Sequence, residues 1–298
     1  MSANDEHPAY GNLPNFDSLW NYDRPDETEA KFREILSQAE AADGKRGYEA
    51  ELLTQIARAE GLQRKFEGGH RTLDKVQGML DHLGPRVEVR ALLERGRLFN
   101  SAGEPKKAIP LFSESFNKAQ AAGEESLAVD AAHMLGICES PEQALEWNLR
   151  ALETVEASEN PKVRRWLGSL LNNLGWTYHD RKEYPRALEF FNRALAVREQ
   201  NGQAKETRIA RWAVARTFRS LGRIDDALAI QRDLLRQWQT AGEEDGFVYE
   251  ELGECLLIQG SKEAGKWFGE AYRALSKDEW LAANEPKRLE RLKELASR

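Results

Sequence analysis

One small residue returns along the chain at nearly constant spacing, and this limits the fold more than any other feature. Ala57, Gly96, Gly136, Gly175, Ala215 and Gly253 follow one another at intervals of 39, 40, 39, 40 and 38 residues. Each lies in an apolar run of helical period, and a second such run follows it. The second runs carry Ala108, Phe112 and Ser115; Ala144, Asn148 and Ala151; Ala187, Phe191 and Ala194; Ala227, Gln231 and Leu234; and Ala264, Phe268 and Ala271. After Ala57 the pattern is weak, as Gly69, Leu73 and Val76. Repetition at this length predicts six stacked helix pairs, each covering the apolar face of the next. At 298 residues the chain exceeds a single ordinary core, and the repeat favours an array over two unrelated domains.

The densest segment runs from Leu170 to Tyr178 and, after a polar turn, from Tyr184 to Ala194. Its Leu174, Gly175, Tyr178, Ala187, Phe191 and Ala194 resemble the tetratricopeptide repeat, in which a small residue lets two antiparallel helices approach closely. The resemblance covers about residues 50 to 275 and implies an all-α, right-handed α-solenoid of about six helix pairs. The period exceeds the family's usual 34 residues or so, as in longer-repeat scaffold and regulator proteins. The extra residues fall in the second helices and in the links at Gly123, Asn201 and Gly242. The expected pairs span about 47–84, 86–122, 125–158, 162–201, 205–241 and 244–275. The third is short: Gly136 and Ala144 are 8 residues apart where the other pairs need 11 or 12, either a tolerated deletion or a notch that shapes a groove.

Array ends need special cover because the outer apolar face has no neighbour. Residues 26–46 predict an extra N-terminal capping helix with Phe32, Ile35, Leu36 and Ala39 on one side, opened by Asp26 and Glu29 as a capping box. Residues 276–298 predict C-terminal capping helices, opened by Ser276 and Glu279 and closing with Leu289, Leu292 and Leu295. Residues 1–25 form an irregular arm, yet Phe16, Leu19, Trp20 and Tyr22 are too apolar for a free tail. They are expected to dock on the first helices, or else to lie in the protein's own groove.

Composition narrows the class further. No apolar run approaches the roughly 20 residues of a membrane helix, and Met1 to Tyr10 lacks the order of a signal peptide, which together suggest a cytoplasmic protein without a membrane partner. A net charge of -7 argues against nucleic acid. Cys138 and Cys255 have neither disulfide nor metal-ligand spacing and read as small core residues. Glycine-rich phosphate loops, serine elbows and paired-His or paired-Cys motifs are all lacking, so no catalytic residue, metal or cofactor is expected.

At 3.6 residues per turn, the positions three before, one after and four after each small residue share a face away from the partner helix. The resemblance makes that face the concave, peptide-binding surface. In the middle repeats it presents Arg97 and Asn100, His133, Asn172, Trp176 and His179, and Trp212, Arg216 and Arg219, with no carboxylate. Trp176 and Trp212 either anchor a ligand or cover the seam between repeats. Trp147, Trp166, Trp238 and Trp267 sit off the face and are assigned to packing. Arg208, Arg211, Arg216, Arg219 and Arg223 either grip ligand carboxylates or pair with acids such as Asp225, Asp226 and Glu206. Asn173 matches the family's backbone-holding Asn, although its companion position is Trp176 and the carboxylate clamp is incomplete. His133 and His179 have no third ligand for a metal. These features favour a monomeric, non-enzymatic adaptor for an acidic or C-terminal protein segment. A ligand-responsive sensor and a self-associating structural module are the alternatives.

Overall fold

A computed structural model describes residues 13–40 and 46–297; the start of the expected arm and the end of the expected first helix lie outside the described residues. The chain divides into two units, Met1–Trp166 and Leu167–Arg298, and no strand occurs among the described residues. The first unit holds a 3-10 turn at Phe16–Leu19, then α1 (Pro25–Glu40), α2 (Arg46–Leu62), α3 (Phe66–Gln77), α4 (Pro85–Ser101), α5 (Pro105–Ala121), α6 (Glu125–Cys138), α7 (Pro141–Ala157) and the short α8 (Pro161–Arg164). The second holds α9 (Leu167–Asp180), α10 (Tyr184–Gln200), α11 (Ala204–Ser220), α12 (Ile224–Thr240), α13 (Gly246–Ile258), α14 (Ala264–Leu275), α15 (Glu279–Asn284) and α16 (Pro286–Ala296).

Within each unit, successive helices pack as pairs, α2 with α3, α4 with α5 and α6 with α7, then α9 with α10, α11 with α12 and α13 with α14. Each second helix also packs on the next first helix, as α5 does on α6 and α10 on α11, which is the solenoid arrangement. The repeating small residue marks the closest approach. A Cβ placed on Gly96 would lie 2.5 Å from the Phe112 ring, one on Gly175 2.5 Å from the Phe191 ring and one on Gly253 2.9 Å from the Phe268 ring. Carbon atoms pack best at about 3.5–4.0 Å, so only glycine lets these rings lie flat on the first helix. All three rings are fully buried.

Short turns join the helices, and several pass through the left-handed region that glycine tolerates, at Gly103 (φ 83°) and Gly222 (φ 77°) for example. The third pair lacks such a residue. There α6 ends two residues after Gly136, where α4 runs five past Gly96, and only Glu139 and Ser140 link it to α7. Ser140 caps α7 through its side chain and Pro141 takes the first helical position. The missing turn therefore comes from the end of the first helix.

Both ends differ from the sequence expectation in their caps. Helix α1 begins at Pro25, so Asp26 already lies in its first turn. Glu29 bonds Arg33, Gln63 and Lys65 and thereby ties α1 to the α2–α3 turn instead of closing a capping box. At the other end Asp278, not Ser276, caps the helix, accepting from the backbone N–H of Trp280 and Leu281 at 2.9 and 3.1 Å. Helix α16 buries Leu289, Leu292 and Leu295 and packs on α14. No described helix is long and apolar enough to cross a membrane.

Gly175→Ala is expected to destabilise the fold. Overpacking costs about 1–3 kcal/mol, against about 1 kcal/mol of helix propensity that Ala restores. Gly265→Ala, whose Cβ would meet nothing nearer than 3.5 Å, is expected to stabilise by up to about 1 kcal/mol. Urea denaturation of the two variants checks the contrast.

Candidate functional site

Because the contact at the repeating small residue fixes the rotation of each first helix, it also fixes which residues α2, α4, α6, α9, α11 and α13 turn away from their partners. In the first unit that face carries a charge ladder. Arg58 on α2 lies 3.6 Å from Glu94 on α4, Glu94 also accepts from Arg97 at 2.7 Å, and Arg97 donates to Asp130 on α6. Glu94 and Asp130 are buried. Burial pushes the Asp130 carboxyl up, but the charges of Arg97 and Arg58 outweigh it and hold the group below its ordinary value. Asn100 is half-buried at the end of α4, and its carbonyl accepts from Gly103 in the turn.

The N-terminal arm covers the start of this face. Phe16 is fully buried against Phe32 and Tyr48. Asp17 accepts both Nη atoms of Arg90, at 3.3 and 2.9 Å. The Trp20 indole donates to Gln55 at 3.1 Å, and Trp20 stacks on Tyr22 with the Arg58 guanidinium 5.7 and 5.4 Å from the two rings. The described part of the arm therefore docks on the first helices: Phe16 adds to their core, and Asp17, Trp20 and Tyr22 reach Arg90, Gln55 and Arg58. A polar cavity of about 560 Å³ adjoins it, lined by Asp17, Arg86, Arg90, Glu124, Lys162 and Arg165 among others.

In the second unit the face begins with aromatics. The Trp176 ring lies 5.0 Å from Phe191 and 5.8 Å from Trp212, and the Trp212 indole donates to the Phe247 carbonyl at 3.1 Å. Both tryptophans are half-buried, so each covers the seam between neighbouring first helices and still shows an edge to solvent. Beside them, Glu251 on α13 accepts both Nε and Nη2 of Arg219, at 2.7 and 2.9 Å, and lies 3.0 Å from Arg216. His179 shares a 2.9 Å hydrogen bond with Ser220. Asn172 and Asn173 are half-buried on α9. The acids of the last pair are already taken: Arg288 of α16 reaches Glu250 at 2.6 Å, and Arg291 holds Glu254.

The sequence reading of the arginines needs correction in its partners. Arg223 does pair with Asp226, but Arg208 lies near Glu243 and Arg211 pairs with Asp233, while Asp225 accepts from Gln259. The face is also not free of carboxylates. Glu94 and Glu251 lie two residues before their glycines, and Asp130 six before. At about 100° per residue, both offsets adjoin the chosen face on one side. A wider angular window would have found them.

His133, half-buried 5.2 Å from the Trp166 ring, and His179 are both held below the usual imidazole value by burial and by Arg97 or Arg216 respectively, so both are neutral near pH 7. Among the described residues no group of three or more His, Cys, Asp or Glu side chains could hold a metal ion. Both cysteines are free thiols, and burial pushes Cys138 up to about 11 and Cys255 up to about 12. Trp147, Trp238 and Trp267 pack against Phe116, Arg208 and Tyr249.

Known proteins share this architecture. Residues 132–200 match the tetratricopeptide repeat family model, and no curated protein sequence matches the chain. The fold resembles that of PH0952 from Pyrococcus horikoshii, a signal transduction ATPase with a tetratricopeptide repeat sensor, at 14% identity and TM-score 0.69, over 91% of this chain and 42% of that one. It resembles the quorum sensor NprR from B. thuringiensis at 13% identity and TM-score 0.64, over 94% of this chain and 78% of that one. NprR in complex with its cognate peptide NprX matches at 16% identity and TM-score 0.61, over 96% and 83%. BtubC from P. vanneervenii matches at 16% identity and TM-score 0.58, over 78% and 94%. The chain spans less than half of PH0952. Paired helices repeated in this way define the all-α solenoid class. The chain is similar in fold to tetratricopeptide-repeat proteins, and residues 132–200 carry that family's sequence pattern.

Asp130→Asn keeps the shape but leaves Arg97 short of a charge in a buried setting, and is expected to cost about 3–5 kcal/mol. Glu67→Gln, removing an exposed partner of Arg71, is expected to cost under about 1 kcal/mol. Because the native Asp130 carboxyl titrates low, its contribution is present above the ordinary carboxylate value and is lost only as pH falls below it. Denaturant titrations of both variants at pH 7 and pH 3 test this.

Proposed function

We propose that the protein is a non-enzymatic adaptor of the cytoplasm that holds a peptide or protein segment on the outward face of its first helices, favouring an acidic or C-terminal segment. One observation carries the preference: Arg216 and Arg219 share a single carboxylate, Glu251. Two guanidinium groups against one buried acid leave a surplus positive charge beside the exposed edges of Trp176 and Trp212. A ligand carboxylate would complete the pairing, and guanidinium geometry suits it. Arg97, Asn100 and His133 offer a polar stretch of the same kind in the first unit, and Asn172, Asn173 and His179 add donors in the second. The NprR–NprX complex supports peptide binding by this fold. The raised thiols and neutral, hydrogen-bonded His179 support a role without chemistry, since neither provides an activated nucleophile.

A ligand-responsive sensor is the second reading, supported by the description of both PH0952 and NprR as sensors. It uses the same face and differs in what binding triggers.

Arg216→Gln tests the preference, because Arg219 still holds Glu251 in two bonds and the fold keeps its support. On an array of acidic, neutral and basic peptides with free or amidated C-termini, the native protein is expected to retain acidic, free-carboxylate members. The variant is expected to lose about tenfold in affinity, or about 1.4 kcal/mol. Equal retention of all classes, or no change in the variant, would sink the proposal.

A further inference from the structure

The second unit contains a cavity that shares only Trp212 with the face of the adaptor reading. It has a volume of about 480 Å³ and lies where the ends of α11, α12, α13 and α14 meet. Trp212, Trp238, Phe247 and Leu275 form apolar walls, and Ile209, 47% exposed, stands at its lip. That volume falls within the range of small-molecule sites, roughly 300–1,000 Å³.

Its charged lining is mostly acidic. Glu244, Asp245 and Asp278 face one cation, Lys205. Glu244 is already held by Arg273 at 2.6 Å and Lys277 at 3.2 Å. Asp245 and Asp278 use their Oδ1 atoms to cap α13 and α15, and among the described residues no cation lies within ion-pair distance of either carboxylate. Burial pushes the Asp245 carboxyl up and outweighs the lowering effect of the two N–H groups it caps and of the Arg208 charge. Arg208, the nearest candidate, instead lies 3.8 Å over the Trp238 ring and 3.5 Å from Glu243.

We propose that this cavity binds an organic cation, an ammonium or guanidinium group carried on an apolar or aromatic body. The aromatic walls would bury the body, and ring faces attract positive charge. The Asp245 and Asp278 carboxylates supply the negative charge. Its charged groups are separate from those of the acidic-segment preference, since neither Arg216 nor Arg219 lines it, although Trp212 belongs to both.

Calorimetric titration of the full chain with 2-phenylethylamine, phenylacetate and 2-phenylethanol provides the test. The amine is expected to bind at least about tenfold more tightly than phenylacetate. Asp245→Asn preserves the cap, since Asn and Asp rank together there, and is expected to bring amine and acid to similar affinity. Should that variant lose its helical circular dichroism, Ile209→Lys at the exposed lip serves instead and is expected to weaken the amine by a similar factor. Equal binding of amine and acid by the native chain, no amine binding up to millimolar concentration, or an amine affinity unchanged in the folded variants overturns the proposal. Arg216→Gln should leave amine binding intact, so the two proposals fail separately.

Discussion

The close approach of a small residue on one helix to a side chain of its partner, a glycine against an aromatic ring in three of the pairs, governs the rest of the structure. With no Cβ between them, the Phe112, Phe191 and Phe268 rings set both the separation and the rotation of α4, α9 and α13. Rotation decides which side chains look outward, so a packing contact inside the pair selects the residues available to a ligand. The variations obey the same rule. At Ala215, which has a Cβ, the equivalent second-helix residue is the buried Gln231 in place of a phenylalanine. Gly136 takes Asn148, whose amide donates to the Gly136 and Ala144 carbonyls at 3.3 and 2.8 Å.

Charge on the outward face is organised rather than merely abundant. Glu94, Asp130 and Glu251 are buried acids that each hold one or two arginines from first helices. Such pairs give little net stability, because desolvation offsets most of the Coulomb attraction, while losing one partner is costly. Their structural value is registry: Asp130 on α6 accepts only from an Arg97 that α4 presents at the right height and angle. The same pairing keeps long side chains extended across the face. Guanidinium groups held in place in this way carry a lower ordering cost for the binding proposed above.

The repeat register was legible because glycine and aromatic residues have few substitutes at a contact this close. Helix existence followed from it, and the shortened third unit was visible as a count between Gly136 and Ala144. Caps were less legible. Asp26 and Glu29 fit a capping box by spacing, but Pro25 starts α1 one residue earlier and Glu29 finds stronger partners in Arg33 and Lys65. Local spacing cannot register a competing cation brought in by a later helix. Helical phase places Arg97, Trp176, Trp212 and Arg216 on the outward face, whereas Glu94 and Glu251 sit at its edge, outside a narrow angular window. The break between α8 and α9, at Arg165 and Trp166, has no proline or glycine to announce it.

The two ends solve one problem with opposite charges. In the first unit the arm brings an acid, Asp17, to a buried arginine on a first helix, Arg90. In the second, α16 brings Arg288 and Arg291 to the acids Glu250 and Glu254 on the last first helix. Leucines on α16 and Phe16 in the arm cover apolar surface at the same time. A terminal unit has outward polar groups as well as an open apolar side, and a cap that covered only the latter would leave charged residues competing for any ligand. Because each cap satisfies both, each unit keeps its uncapped first helices outward: α6 with His133 in the first, and α9 and α11 with Trp176, Trp212 and Arg216 in the second.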